Sequence, residues 1–257
     1  MFTGQQKGNK PFQNISAKDV SIRNQHDAQM TDKNIILSLR NISKSFAQRG
    51  LVLDRLGLEV KSGDSVALMG PSGSGKTTLM NIIGLLDKPD DGELNYKGRS
   101  VSAYSGDESA AYRSRNIGFV FQDHLLLPYL TISENIFLPL MAVKYTSDEL
   151  KERKNHLKEL MNKTGIESLS GKYPFQVSGG EAQRSALVRA LANNPSILLA
   201  DEPTGSLDAA NASIMGELLL EMNSRYGTTL IVATHSLELA KRMSHLFLLE
   251  NGKLIRS

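Results

Sequence analysis

The sequence contains no cysteine and no tryptophan. Without cysteine the chain can form neither a disulfide bond nor a thiolate nucleophile, which suits a reducing compartment. No apolar run approaches the roughly 18 residues that a membrane-spanning helix needs. The N-terminus also lacks the apolar core that is typical of a signal peptide. We therefore expect a soluble protein of the cytoplasm.

An excess of one charge is also missing. The chain has 30 Lys and Arg against 27 Asp and Glu, a net charge of +3 over 257 residues. Proteins that hold nucleic acid through its phosphates need concentrated positive charge, so we expect no nucleic-acid partner. Hydrophobic residues make up 40% and charged residues 22%, as in an ordinary globular protein. The length allows one large or two modest domains.

The first 34 residues differ in composition from the rest. Residues 1–34 are rich in Gln, Asn, Lys, Asp and Gly, and their apolar residues follow no period. Such a segment buries too little surface to offset its ordering entropy, so we predict a disordered extension before a folded domain at 35–257. Two alternatives stay open: translation starts at Met30, or the extension docks a partner.

The folded part has an α/β pattern. Short apolar runs separated by helical stretches are typical of strands buried on both faces of a sheet. The predicted strands are Ile35–Arg40, Ser65–Met69, Ile117–Phe121, Ile197–Ala200 and Leu230–Ala233. An amphipathic helix is predicted over Ser147–Lys163, with Ser147 as its N-cap. We expect the mainly helical stretch 123–178 to be a subdomain inserted into the α/β core.

A glycine-rich segment follows the second predicted strand. The segment Gly70–Thr77 (GPSGSGKT) matches G-x-x-x-x-G-K-[ST] and precedes a predicted helix. Glycines let successive N–H groups point at phosphate oxygens, and the helix N-terminus adds positive potential. Lys76 suits the β- and γ-phosphates of a nucleotide, and the Thr77 hydroxyl suits Mg²⁺. The predicted phosphate-binding residues are Gly70, Pro71, Ser72, Gly73, Ser74, Gly75, Lys76, Thr77 and Thr78.

A pair of carboxylates ends the fourth predicted strand. Asp201 and Glu202 follow the apolar run Ile197–Ala200, at the strand end where α/β sheets bind ligands. Asp201 suits Mg²⁺, and Glu202 suits the polarisation of the water that attacks the γ-phosphate. Because adjacent strand residues point in opposite directions, we expect the two to have different roles. A surface turn is the alternative reading.

A third motif indicates a family. The segment Val177–Arg184 (VSGGEAQR) resembles the signature sequence of ATP-binding cassette (ABC) ATPases, with Val177 in place of the usual Leu. The resemblance covers residues 36–257. It implies an ATPase with a P-loop NTPase core, an N-terminal antiparallel β portion and an inserted helical subdomain. In the family, the helix start at Ser178, Gly179, Gly180 and Glu181 meets ATP held by another subunit, so it also implies a head-to-tail homodimer.

The same resemblance assigns roles to four further residues. Phe46 is at the position of an aromatic residue that stacks on adenine, although a lone Phe is more often part of a core. Gln122 matches a glutamine that touches Mg²⁺ or the attacking water. Asp208 belongs to a loop that crosses the dimer interface. His235 matches a histidine that contacts the γ-phosphate, although a lone His is more often structural.

Three segments narrow the resemblance. They are similar to the group of ABC ATPases for lipoprotein release and macrolide export: Gly84–Gly92, Leu199–Asp208 and Glu238–Met243. The likeness implies a subunit at the cytoplasmic face of the inner membrane that drives integral permease subunits, without direct contact with the transported substrate. We expect the apolar stretch His124–Ile132, with Leu126 and Tyr129, to help form a groove for a permease helix. Packing inside the helical insert is the alternative for that stretch, and a soluble or scaffold-type ABC ATPase is the alternative function.

Overall fold

The computed structural model describes residues 34–256. The predicted extension therefore lies outside the described residues, except for Asn34, which is in a turn. The strands are β1 (Ile35–Phe46), β2 (Gly50–Lys61), β3 (Ser65–Met69), β4 (Asp91–Tyr96), β5 (Arg99–Ser100), β6 (Ile117–Val120), β7 (Ile197–Asp201), β8 (Thr229–Ala233), β9 (His245–Glu250) and β10 (Lys253–Arg256). The helices are α1 (Lys76–Ile83), α2 (Gly106–Asn116), α3 (Ile132–Phe137), α4 (Ser147–Lys163), α5 (Gly179–Ala190), α6 (Ala209–Tyr226) and α7 (Leu237–Lys241).

The strands form two sheets. One is antiparallel, with the order β2-β1-β4-β5, and confirms the predicted antiparallel portion. The other has the order β10-β9-β3-β8-β7-β6, and all its pairings are parallel except that of β10 with β9. Strands β3, β6, β7 and β8 therefore end at the same edge, where side chains that follow each strand can converge.

Two apolar cores hold these layers together. The buried Leu79 and Ile82 of helix α1 share one apolar core with Leu37 and Leu53 of the antiparallel sheet. The second core joins the parallel sheet to α4, α5 and α6 and contains Leu157, among others. Full burial of a leucine side chain stabilises a fold by about 1.5–3 kcal/mol. The loop between β3 and α1 is therefore anchored on both sides by buried elements.

The segment 123–178 is mainly helical. It contains α3, α4 and three 3₁₀ segments, at Leu138–Ala142, Glu167–Leu169 and Pro174–Gln176. Helix α4 has the predicted bounds, but its N-cap is Thr146 and not Ser147, because the Thr146 hydroxyl accepts the backbone N–H of Glu149. No helix within residues 34–256 is long and apolar enough to cross a membrane.

Four helices begin with the same reciprocal cap. In each, a Ser or Thr hydroxyl accepts the N–H of a Glu three residues later, whose carboxylate accepts the N–H of the cap residue. The hydrogen bonds from the cap residue, first its backbone N–H and then its hydroxyl, lower the pKa of each Glu. The pairs are Ser105–Glu108, Thr131–Glu134, Thr146–Glu149 and Ser178–Glu181.

Candidate nucleotide-binding site

A cavity of about 610 Å³ opens at the carboxyl edge of the parallel sheet. Ten of the predicted site residues line it: Ser72, Gly73, Gly75, Lys76, Thr77, Thr78, Gln122, Asp201, Glu202 and His235. They come from the β3–α1 loop, the first turn of α1, the last residue of β7 and the segments that follow β6, β7 and β8. The topology of the sheet therefore brings together residues that are up to 163 positions apart in the chain.

The glycine-rich loop is tightly enclosed. Gly70 has φ +153°, and a Cβ atom there would lie 2.3 Å from the carbonyl oxygen of Leu249. Gly75 caps α1 with φ +105°, and a Cβ atom there would lie 2.9 Å from Val52. Only glycine fits both the backbone angle and the space at these positions. The first N–H groups of α1 therefore face the cavity as an anion site.

Lys76 begins α1 and is largely buried, with 7% of its surface exposed. Its Nζ atom donates to the carbonyl oxygens of Gly70 at 2.9 Å and Pro71 at 3.2 Å. The same Nζ atom lies 3.3 Å from Nε2 of His235. The ammonium group is thus positioned between the glycine-rich loop and the end of β8, where it can exchange these neutral partners for phosphate oxygens.

The two carboxylates diverge for a reason that differs from the predicted one. Asp201 is the last residue of β7, whereas Glu202 has left the strand with a left-handed φ of +48°. The Glu202 N–H donates to Ala233 at the end of β8, at 2.9 Å. A tight turn, and not the alternation of a strand, therefore turns Glu202 away from Asp201.

Asp201 and Glu202 have different surroundings. The Oδ1 atom of Asp201 is buried without a hydrogen-bond partner in the described chain, which suits a carboxylate that binds a cation. Glu202 faces His235: its Oε2 atom accepts the backbone N–H of His235 at 3.2 Å. Its Oε1 atom is also buried and forms no hydrogen bond in the described chain, but it lies 3.1 Å from Nε2 of His235. Nothing among residues 34–256 groups three or more His, Asp or Glu into a cluster that could hold a metal. A bound cation would therefore need oxygens from a nucleotide as well.

His235 connects the cation and the anion of the site. Its Nε2 atom lies between Nζ of Lys76 and Oε1 of Glu202. A single ring nitrogen can accept from Lys76 when unprotonated or donate to Glu202 when protonated, but not both at once. If a bound phosphate draws Nζ of Lys76 away, Nε2 of His235 can form a hydrogen bond with Glu202 instead.

Gln122 reaches the cavity from the segment that follows β6. The backbone carbonyl oxygen of Gln122 accepts from the Ser206 hydroxyl at 3.1 Å. Gly205 also lines the cavity, close to the Gln122 side chain. The segment after β7 is thus hydrogen-bonded to the segment after β6.

The remaining predicted residues lie outside the cavity lining. Gly70, Pro71 and Ser74 belong to the loop but do not line the cavity, and Phe46 ends β1 with its ring 5.5 Å from Nζ of Lys44. Ser178, Gly179, Gly180 and Glu181 form the start of α5, and Asp208 is the N-cap of α6. Ser178 and Gly179 are exposed, so the N-terminus of α5 faces away from the protein's own core.

Three cavity residues were not predicted: Arg49, Val52 and Gly205. Arg49 lies in the tight turn between β1 and β2, where its N–H donates to Phe46. A basic residue three positions after the predicted adenine contact was the available signal. Its position beside the glycine-rich loop depends on the pairing of β1 with β2, and β2 is not among the predicted strands.

The apolar stretch His124–Ile132 divides between surface and interior. Leu126 is only 6% exposed and packs in the core, so the expectation that it contacts a partner was wrong. Tyr129 is 90% exposed. Next to it, α3 and α4 enclose an apolar groove of about 410 Å³ lined by Leu130, Glu134, Phe137, Leu138, Leu140, Met141, Leu150 and Lys154. Leu125 and Leu127 are also exposed, so the exposed apolar surface begins in the predicted stretch and continues to Met141.

Comparisons with known proteins place the chain in a family. Residues 53–205 match the family described as ABC transporter. The lipoprotein-releasing system ATP-binding protein LolD 1 of Rhodopirellula baltica is 44% identical over 86% of this chain and 96% of that protein. The LolD protein of Idiomarina loihiensis is 40% identical over 88% of this chain and 98% of its own length.

Solved structures agree with the sequence relatives. The dimeric post-hydrolysis structure of the ATP-binding cassette MJ0796 bound to ADP and Pi is 36% identical and superposes with a TM-score of 0.77, over 86% of this chain and 98% of that one. The cbiO1 structure from Clostridium perfringens, part of the ABC transporter complex cbiONQ, is 28% identical with the same TM-score, over 86% and 87%. The chain therefore belongs to the ABC transporter family, as an ATP-binding and ATP-hydrolysing subunit.

Proposed function

We propose that this chain is the ATPase of a transporter that releases lipoproteins from a membrane. The observation that carries the ATPase mechanism is the placement of His235 between Lys76 and Glu202 in one cavity. The lipoprotein substrate is supported by the relatives of similar length that are named lipoprotein-releasing system ATP-binding proteins. Residues of the site bind and hydrolyse ATP, and a membrane partner uses the resulting motion.

Each part of the mechanism has a residue in the cavity. The β3–α1 loop and Lys76 bind the β- and γ-phosphates through N–H groups and an ammonium. Glu202 polarises the attacking water, and His235 orients it next to the γ-phosphate. Thr77, Asp201 and Gln122 would hold Mg²⁺, which would neutralise charge on the phosphate oxygens. The unpartnered Oδ1 atom of Asp201 supports that assignment.

The remaining predicted residues are proposed to act between two copies of the chain. The start of α5, where Ser178 and Gly179 are exposed, offers the free N–H groups of a helix N-terminus to the γ-phosphate of ATP held by the other copy. Asp208, the N-cap of α6, would contact the other copy at the same interface. Phe46 would stack on the adenine of ATP. The dimeric form of the MJ0796 cassette supports a dimer of this chain.

We also propose a surface for the membrane partner. The apolar groove on the helical insert, lined by Phe137, Leu138 and Met141 with Glu134 and Lys154 at its rim, fits an amphipathic helix of a permease subunit. Met141 is 84% exposed, as expected of an apolar side chain that awaits a partner. The chain would then be bound to the cytoplasmic face of the inner membrane through the permease.

The test is recovery of the partner from membranes. The Glu202→Gln chain is incubated with ATP and Mg²⁺ in detergent-solubilised native membranes, and the proteins that co-purify are identified by mass spectrometry. The Lys76→Ala chain is the control, because it should not close around ATP. Recovery of a permease together with lipoproteins, in the first sample only, supports the proposal. Recovery of ribosomal or DNA-bound proteins without a permease contradicts it and favours a soluble ABC ATPase.

A further inference from the structure

Helix α5 forms hydrogen bonds with the segment around Gln122 both before and after that residue. We call residues 121–125 the Gln122 loop. The Gln183 amide donates to the carbonyl oxygen of Phe121 at 2.6 Å, just before Gln122. The Arg189 guanidinium donates to His124 at 2.8 Å and to Leu125 at 2.6 Å, just after it. Three hydrogen bonds from one helix therefore bracket the residue that enters the nucleotide cavity.

Arg189 has an unusual set of partners. It forms no ion pair with any carboxylate in the described part of the chain. Burial lowers the pKa of Arg189, because a charged guanidinium out of water loses hydration. The group keeps its charge, so it needs polar partners that offset that desolvation. The two carbonyl oxygens of the Gln122 loop are those partners, and a planar guanidinium is the group that can reach both at once.

The loop itself needs such support. Leu125 has a left-handed φ of +47°, a conformation that is costly for a branched side chain. The turn also directs the Leu126 N–H to Nδ1 of His124, at 3.1 Å. Burial and the nearby charge of Arg189 both lower the pKa of His124, which keeps that nitrogen free to accept. The contacts of Arg189 thus favour the strained form of the loop.

We propose that Arg189 is a positioning residue that makes α5 and the Gln122 loop one rigid unit. This inference rests on the proposed function. The start of α5 would bind the ATP that is held by the other copy, whereas Gln122 lies in the chain's own nucleotide cavity. The loop continues to the exposed Tyr129 beside the partner groove. A partner that displaces the loop would therefore move contacts to both nucleotides together, through Arg189.

Two substitutions separate this role from general stability. Arg189→Lys keeps the charge but offers a point donor that cannot bridge the two carbonyl oxygens. Arg189→Met removes the donors and keeps the apolar stem. Arg115→Lys is the matched control, because Arg115 is exposed on α2 and makes no side-chain hydrogen bond within residues 34–256. Each chain is compared with the unaltered one by amide hydrogen exchange, ATP affinity, ATP turnover and Tm.

The amides of Leu126 and Leu127 report on the loop, because they donate to His124 and Asn135. We expect Arg189→Lys and Arg189→Met to speed exchange at these two amides by on the order of tenfold. The loss of a hydrogen bond to a charged group shifts the opening equilibrium of the loop by about that factor. Exchange in α4 should stay unchanged. Turnover should fall at saturating ATP while the Kd for ATP stays within about twofold, because the glycine-rich loop is untouched.

Three outcomes overturn the proposal: unchanged exchange at Leu126 and Leu127, an equal rise in α4 with a lower Tm, or a Kd for ATP that rises in parallel with the loss of turnover. The exchange measurement requires neither activity nor a partner. If the unaltered chain hydrolysed no ATP, the proposed function would fail, and the exchange data would still decide whether Arg189 holds the loop.

Discussion

Gly180 lies so close to Asn211 that a Cβ atom at position 180 would come within 2.3 Å of the Asn211 side-chain oxygen. The Asn211 amide also donates to Asp208 at 2.7 Å and accepts from Arg184 at 3.2 Å. One amide thus joins the start of α5 to the start of α6. Because both helix starts are proposed to face a second copy, their relative position affects the shape of that surface.

This contact predicts opposite effects at neighbouring glycines. Gly180→Ala should destabilise the fold by about 1–3 kcal/mol, because the new methyl group displaces Asn211. Gly179→Ala meets no atom within 4 Å and should be neutral or stabilising, by up to about 1 kcal/mol. The free energy of unfolding in urea measures both. Equal effects at the two positions would show that a methyl group at position 180 fits beside Asn211 without strain.

The second prediction separates ATP binding from hydrolysis. Lys76→Ala should abolish measurable ATP binding by calorimetry, because the buried ammonium is the cation nearest the glycine-rich loop. Glu202→Gln should keep the affinity for ATP and lower turnover on the order of 10²–10⁴-fold, the contribution of a general base. Normal turnover by Glu202→Gln would remove Glu202 from its proposed role.

The third prediction concerns acid stability. Hydrogen bonds from Ser178 lower the pKa of Glu181 in the folded chain. A lowered folded pKa gives stability that is present above the unfolded pKa of about 4.3 and is lost as pH falls through the folded pKa. Glu181→Gln should therefore be less stable than the unaltered chain at pH 7, and the difference should shrink in acid. Urea unfolding across the range from about pH 7 to pH 3 measures this. A difference that stays constant across that range would contradict the linkage to Glu181.

The fourth prediction tests the partner groove. Tyr129→Glu and Met141→Glu should each weaken recovery of the permease by roughly thirtyfold, about 2 kcal/mol, if these side chains are central contacts. Ile255→Glu is the control, because Ile255 is also exposed but lies on β10. Leu126→Glu should instead lower Tm, since it buries an unpaired charge. If Ile255→Glu weakens recovery as much as the others, the groove is not the docking site.

The elements that were predicted well have strong local signals. Strand β3 has the predicted bounds because the apolar run Val66–Met69, preceded by Ser65, lies between Asp64 and Gly70. Helix α4 combines a helical apolar period with a capping box. Strand β2 was missed although Leu56, Leu58 and Val60 alternate with exposed residues, because its first half does not alternate and has Leu51–Leu53 in an unbroken row. Its pairing with β1 also shifts register, as between Leu39 and Ile42.

The site shows the same limit. Two motifs predict that Lys76 and Glu202 act on one nucleotide, but the direction of Glu202 comes from a left-handed turn, which the sequence offers only as the alternative to a strand end. Arg49 reaches the cavity only because the β1–β2 hairpin folds over the glycine-rich loop. Arg189 looks like an ordinary helix residue in the sequence, and its two carbonyl partners lie 64 and 65 positions away.

The backbone conformation at Glu202 lowers the stability of the fold at a residue that catalysis requires. Its left-handed φ of +48° costs a residue with a side chain about 1–3 kcal/mol, whereas glycine adopts it freely. Glu202→Gly would therefore give a more thermostable protein that lacks the proposed general base. A laboratory selection that rewards only survival at high temperature should drift toward that inactive chain, and one that also demands ATP turnover should keep the strain.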